Sequence, residues 1–154
     1  MPKHILLDSA PLSLLATPLR PANPASIRAI RQWATDCDAA GHHIIIPEII
    51  DYEVRRELLR SGKTASVAEL DNLKADFTYL PLTTVALLKA AELWARTRQQ
   101  GRPTAHDENI DVDVILAAQA LTFGVPVADL VVATVNTRHL SRFVTADLWT
   151  NIHP

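Results

Sequence analysis

The chain has 154 residues, 48% of them hydrophobic and 21% charged, without a low-complexity tract; this is the make-up of an ordinary globular protein and fits a single domain over residues 1–154. A formal charge of −2 excludes a generally basic nucleic-acid coat, so any polyanion must be held by a local patch or through a metal ion. The single cysteine, Cys37, excludes an intrachain disulfide and a thiol-based zinc cluster, and no apolar run approaches the roughly 18 residues that cross a bilayer, so a soluble, cytoplasmic protein with no membrane partner is expected.

The first element is a short apolar strand, Ile5-Leu6-Leu7, ending in Asp8 and Ser9. Residues 11–15 follow as a short helix or turn, and a connection with Pro18, Pro21 and Pro24 comes next. Asn23-Pro24 reads as the cap and first residue of a helix running to about residue 40, where Gly41 ends it. His43-Ile44-Ile45-Ile46 is a β-branched run suited to a strand covered on both faces. Pro47 opens a helix from 48 to about 60, stopped by Ser61-Gly62, and a second helical pattern spans 64–77. A strand at 78–82 and a helix at 83–100, ended by Gly101, precede a polar stretch over 102–109. A helix carrying Asp113 stops before Gly124, a strand spans 130–134, and Phe143-Val144 forms a short last strand. Strands alternating with helices predict an α/β fold: a three-layer α/β/α arrangement around a central, mainly parallel sheet.

Three acids stand where such a fold places ligands. Asp8 lies at the carboxyl end of the first strand, where open α/β sheets bind their ligands. Glu53 stands inside the helix that follows the second strand, and its plain reading is an exposed acid paired with Arg56. Asp113 continues the stripe made by Leu116, Ala117, Ala120 and Leu121, and a carboxylate in line with a buried stripe needs a cation or hydrogen bonds. Equally, Asp113 or Asp111 can serve as a helix cap, but residues two apart cannot both face the same way. Arg55, Arg56, Arg60 and Lys63 form the densest basic stretch, which can meet phosphates or be a solvated face. The isolated glycines exclude a dinucleotide fingerprint and a P-loop, and no Gly-x-Ser-x-Gly elbow exists.

In chain order these residues resemble the PIN-domain family, and within it the VapC-like toxins of bacterial type II toxin–antitoxin systems. Leu6-Leu7-Asp8-Ser9 is similar to that family's aliphatic-aliphatic-Asp-Thr/Ser start. The segment from Ile46 to Arg55 resembles the one in which a Glu precedes an aliphatic residue, which selects Glu53 over Glu48. Asp113-Val114-Ile115-Leu116-Ala117-Ala118 resembles the Asp-x-aliphatic-aliphatic-Ala-Ala helix start and selects Asp113 over Asp111. Val132-Ala133-Thr134-Val135-Asn136 is similar to the last motif. The chain departs from the pattern there, with Asn136 and His139 where many members carry an acid, and in the length of its proline-rich segment.

The resemblance implies a metal-dependent ribonuclease in which Asp8, Glu53 and Asp113 hold Mg2+ or Mn2+, since hard divalent ions prefer oxygen ligands. It implies cleavage of RNA by metal-activated water, with Asn136 assisting and with Ser9 and Thr134 supporting the acids. It also implies an antitoxin partner and a homodimer. The basic stretch Arg55, Arg56, Arg60 and Lys63 is expected to contact RNA phosphates. The alternative is a PIN-like module that binds RNA or protein without cleaving it.

Overall fold

The computed structural model describes residues 2–100 and 110–154. Its frame is a five-stranded sheet of β1 (His4–Leu7), β2 (His43–Pro47), β3 (Thr78–Leu80), β4 (Leu130–Thr134) and β5 (Ala146–Leu148), in the order β3-β2-β1-β4-β5. Every pairing is parallel: Ile5 lies opposite Ile44 on one side and Val131 on the other, and Val132 lies opposite Ala146. Successive residues of a strand point to opposite faces, yet Ile5, Leu6 and Leu7, Ile44 to Ile46, and all of β4 are buried. Both faces of the central strands are therefore covered, as the unbroken apolar runs require.

The covering comes from helices α1 (Ser9–Leu15), α2 (Ala25–Ala39), α3 (Glu48–Arg60), α4 (Thr64–Asp76), α5 (Thr84–Gln99), α6 (Ile110–Leu121) and the short α7 (Thr137–Leu140). Packing joins α1 to α2 and α3, α3 to α4 and α6, and α5 to α6. Gln119 of α6 locks two of these elements: its side chain accepts from the Ile49 amide (3.3 Å) and donates to the Leu80 carbonyl (3.0 Å). Glu48 accepts from the Leu82 amide, so this first-turn acid fastens the end of β3 as well as favouring the helix dipole. Trp33 donates to the Ile152 carbonyl (2.8 Å) and so pins the C-terminal segment against α2.

Several expected boundaries shift, each for a visible reason. The first helix starts at Ser9 rather than Pro11, because Asp8 itself caps it. Asn23 is no cap: its side chain accepts from the Arg20 amide and closes a turn there, leaving Pro24 at the cap position. Pro47 belongs to β2, and Thr83 caps α5 by accepting from the Ala86 amide (3.1 Å). The expected strand at Phe143-Val144 is instead a turn, since both amides donate to the Leu140 carbonyl and are lost to a ladder; β5 forms three residues later. Gly62, at φ +68°, supplies the left-handed residue that lets α3 turn into α4, and Gly41, at φ +87°, does so between α2 and β2. Gly101 and residues 102–109 lie outside the described residues.

Candidate active site

The strand order places a topological switch point at β1 and β4. From β1 the chain builds outward through β2 and β3, then returns to the opposite side of β1 as β4. Loops diverge at such a point and leave a crevice at the carboxyl ends of the strands. Asp8 follows the last residue of β1, and Thr134 is the last residue of β4. The two meet directly: the Thr134 hydroxyl donates to Asp8 Oδ2 at 2.8 Å, while Asp8 Oδ1 accepts from the Ser9 amide at 2.8 Å. Both carboxylate oxygens are thus oriented, and the Asp8 amide is tied to the Ala133 carbonyl (2.9 Å).

A cavity of about 520 Å³ opens here, lined among others by Asp8, Ser9, Glu53, Asp113, Thr134 and Asn136. Three acids separated by 45 and 60 positions in sequence reach it from the end of β1, from α3 and from the first turn of α6. Asp113 is half-buried and Asp111 is exposed, so α6 turns these two acids in different directions. Because α6 begins at Ile110, Asp113 is a first-turn residue of the helix and not its cap. Its carboxyl is pushed up to about 7, first by burial and then by the negative charges of Asp8 and Glu53; Arg142 pulls the other way. Asn136 caps α7 by accepting from the Arg138 amide at 3.2 Å, and its own amide donates to the Thr134 hydroxyl (3.1 Å).

The basic stretch divides. Arg56 lines the cavity, 4.0 Å from Glu53, with its guanidinium over the Tyr52 ring. Arg60 pairs with Glu57, and together with Lys63 it lines a neighbouring groove instead. Arg55 is elsewhere: it bridges Asp51 (3.0 Å) and Asp71 (2.8 Å), two carboxylates that engage its guanidinium. Glu57 and Arg142 also line the cavity without any sequence motif to mark them, and His139, a departure from the last motif, lies there too. Arg142 gives no periodic or motif signal; it arrives because the α7 turn folds over the switch point, its Nε donating to the His139 carbonyl (3.3 Å).

A family model of the PIN domain matches residues 22–144. The chain belongs to the PIN-domain family. Among solved structures it is similar to VapBC2 from Rickettsia felis bound to a promoter DNA fragment, with a TM-score of 0.67 and 15% identity over 94% of this chain and 98% of that one. FitAcB from Neisseria gonorrhoeae gives 0.62 and 21% identity over 96% and 99%, and DNA-bound VapBC from Salmonella typhimurium 0.61 and 19% over 97% and 99%. At these identities the likeness is one of fold. No curated protein matches the chain.

As a PIN domain the protein has a cavity whose donor set can be tested against a divalent ion. Asp8, Glu53 and Asp113 offer only oxygen, which suits Mg2+ or Mn2+ and not a softer metal. Burial first, and then the charges of Asp8 and Glu53, raise the Asp113 carboxyl, and the lining sets Asp8, Glu53, Glu57 and Asp113 against Arg56 and Arg142. Among the described residues no three His, Cys, Asp or Glu side chains stand close enough to grip an ion as they are. The donors fit in kind and in charge.

Proposed function

We propose that the protein is a metal-dependent ribonuclease, the VapC-like toxin of a toxin–antitoxin pair, with Asp8, Glu53 and Asp113 holding Mg2+ or Mn2+. The observation that carries the reading is the arrival of these three acids in one cavity at the switch point of the sheet. When bound, the ion supplies Lewis-acid polarisation of a phosphodiester oxygen and an activated water. The chain's own groups set the geometry. Thr134 and the Ser9 amide hold the Asp8 carboxylate in one orientation, so its position is fixed before substrate arrives. Arg56 and Arg142 flank the acids and offset the charge of an incoming phosphate. Asn136 spends its side-chain oxygen on the α7 cap, which leaves its NH2 as a donor for a substrate oxygen. Arg55, held by two carboxylates, is left out of the RNA surface.

In this reading the protein works in the cytoplasm, as a homodimer restrained by an antitoxin encoded beside it. No helix among the described residues is long and apolar enough to cross a membrane. The test is cleavage of a mixed RNA pool by purified protein with Mg2+ or Mn2+, repeated with chelator and with Asp8→Asn. Cleavage that needs the ion and disappears in the variant is expected. RNA bound but intact under every metal condition would replace the nuclease with a binding module.

A further inference from the structure

Two further grooves are linked to the acid-lined cavity through shared lining residues. The first, about 720 Å³, has Glu57 in common with it and crosses the turn between α3 and α4, where Arg60, Lys63, Thr64, Ser13 and Thr17 form its walls. The second, about 500 Å³, has Arg20 in common with the first and is lined by Leu19, Pro21, Arg28 and Arg31. Arg56 thus lines the cavity, Arg60, Lys63 and Arg20 the first groove, and Arg20, Arg28 and Arg31 the second. Among the described residues Glu57 is the one acid lining either groove, and Arg60 is paired with it, while Arg31 pairs with Glu69 from outside them (3.5 Å).

The outer wall is built rather than loose. Arg31 donates to the carbonyls of Leu15 (3.2 Å) and Thr17 (2.7 Å), which fixes the start of the proline-rich segment against α2. Pro18, Pro21 and Pro24 restrict the backbone of that segment, so Arg20 is held near α2 at little ordering cost. Arg20 and Arg28 are exposed, and among the described residues the Arg28 guanidinium makes only a long bond to the Arg20 carbonyl (3.4 Å). Their charge is available to a ligand.

We propose that these grooves form a track for single-stranded RNA, so that the substrate is an extended strand whose flank is held by Arg20 and Arg28 while its scissile phosphate lies among the acids. The proposal rests on the ribonuclease reading. Guanidinium, ammonium, hydroxyl and amide groups along a groove suit phosphate and ribose, and a strand cut in the cavity has to continue out of it. A protein partner would need large exposed apolar anchors. Of the apolar residues walling the first groove the large ones, Val54 and Leu58, are buried and only the small Ala65 is exposed, and the exposed Leu19 stands at the far end, where with Pro21 it offers a base a nonpolar seat.

Binding of labelled, unstructured RNAs of about 20 and about 4 nucleotides is measured over a salt series in chelator, for wild type, Arg20→Ala/Arg28→Ala and Arg20→Lys/Arg28→Lys. For the long RNA the alanine pair should lose about tenfold in affinity and about 1.4 in the slope of log K against log salt. The short RNA should bind unchanged, and the lysine pair should keep the wild-type slope. An unchanged slope for the long RNA in the alanine pair overturns the track. So does a glutamate-rich peptide whose binding the alanine pair abolishes while RNA binding stays intact, which would assign the groove to a protein. Slope loss without cleavage of any RNA keeps the track and removes the nuclease reading; cleavage abolished by Asp8→Asn with the slope unmoved does the reverse.

Discussion

Asp51 and Glu53 sit two residues apart on α3, and the helix delivers them to opposite kinds of surroundings. Asp51 is 6% exposed and compensated: Arg55 lies at 3.0 Å, Lys74 at 3.7 Å, and the Tyr79 hydroxyl donates to it at 3.4 Å. Tyr79 in turn is pushed up to about 12, by burial and then by Asp51, and so remains a donor at any ordinary pH. Glu53 faces a cavity lined by three more carboxylates, Asp8, Glu57 and Asp113, and meets Arg56 at 4.0 Å. A buried acid surrounded by cations has its needs met inside the protein and serves the fold. Acids gathered with too little positive charge await something from outside.

The comparison breaks first on activity. Glu53→Gln keeps the shape and removes the charge, so cleavage should fall by about a thousandfold, about 4 kcal/mol of transition-state stabilisation, while the melting temperature of the metal-free protein holds or rises. Single-turnover cleavage beside a thermal melt separates the two. Asp51→Ala should do the opposite, leaving Arg55 and Lys74 without their shared partner: a loss of about 3 kcal/mol, roughly 10 °C, with the folded fraction cleaving at the wild-type rate. Equal losses of activity from both variants would show that α3 does not divide structural from functional acids.

The same contrast has a pH signature. Asp113 has a folded value of about 7 against an ordinary 3.8, so between these values the folded state binds more protons than the unfolded one. Stability of the ion-free protein should therefore fall as pH rises through that window, and the penalty is complete above about 7. Discounted for partial exposure, its size is about 1–2 kcal/mol. Asp113→Asn should lack this slope, and Mg2+ or Mn2+ at alkaline pH should cancel it in the wild type. Parallel denaturation curves for wild type and variant from acid to alkaline pH, in chelator, would remove the electrostatic coupling of the three acids. Asp111→Asn is the control, exposed and expected to follow the wild type throughout.

The legibility of these features followed how local their causes were. The apolar runs of β1, β2 and β4 could be read because burial on both faces demands an unbroken sequence. Ends at Gly41 and Gly62 could be read because the left-handed backbone demands a particular residue. By contrast β5 is Ala146-Asp147-Leu148, a sequence with no strand character, which pairs only because β4 offers an edge. The acids showed through the order of four motifs, which carries more information than any one of them. Which basic residues would stay free was hidden, since Asp71, the carboxylate that holds Arg55 at 2.8 Å, comes from another helix sixteen residues on. Asn23 misled because its side chain had two local choices, a cap or a turn, and the turn with Arg20 won.

The smallest expected effect lies at the hinge between the two roles. Thr134 is fully buried, yet its hydroxyl serves the acid site, donating to Asp8 and accepting from the Asn136 amide. Thr134→Val preserves volume and β-branching and deletes both hydrogen bonds, so the stability cost should be about 1 kcal/mol. Asp8 keeps the Ser9 amide on its other oxygen, so the carboxylate is loosened without being released. Cleavage should drop by about tenfold, far less than for Glu53→Gln, with the loss in the chemical step and RNA affinity unmoved. Thr134→Ser restores the hydroxyl and should recover the rate. A valine variant with wild-type cleavage would mean that Thr134 belongs with Asp51 among the residues that serve only the fold.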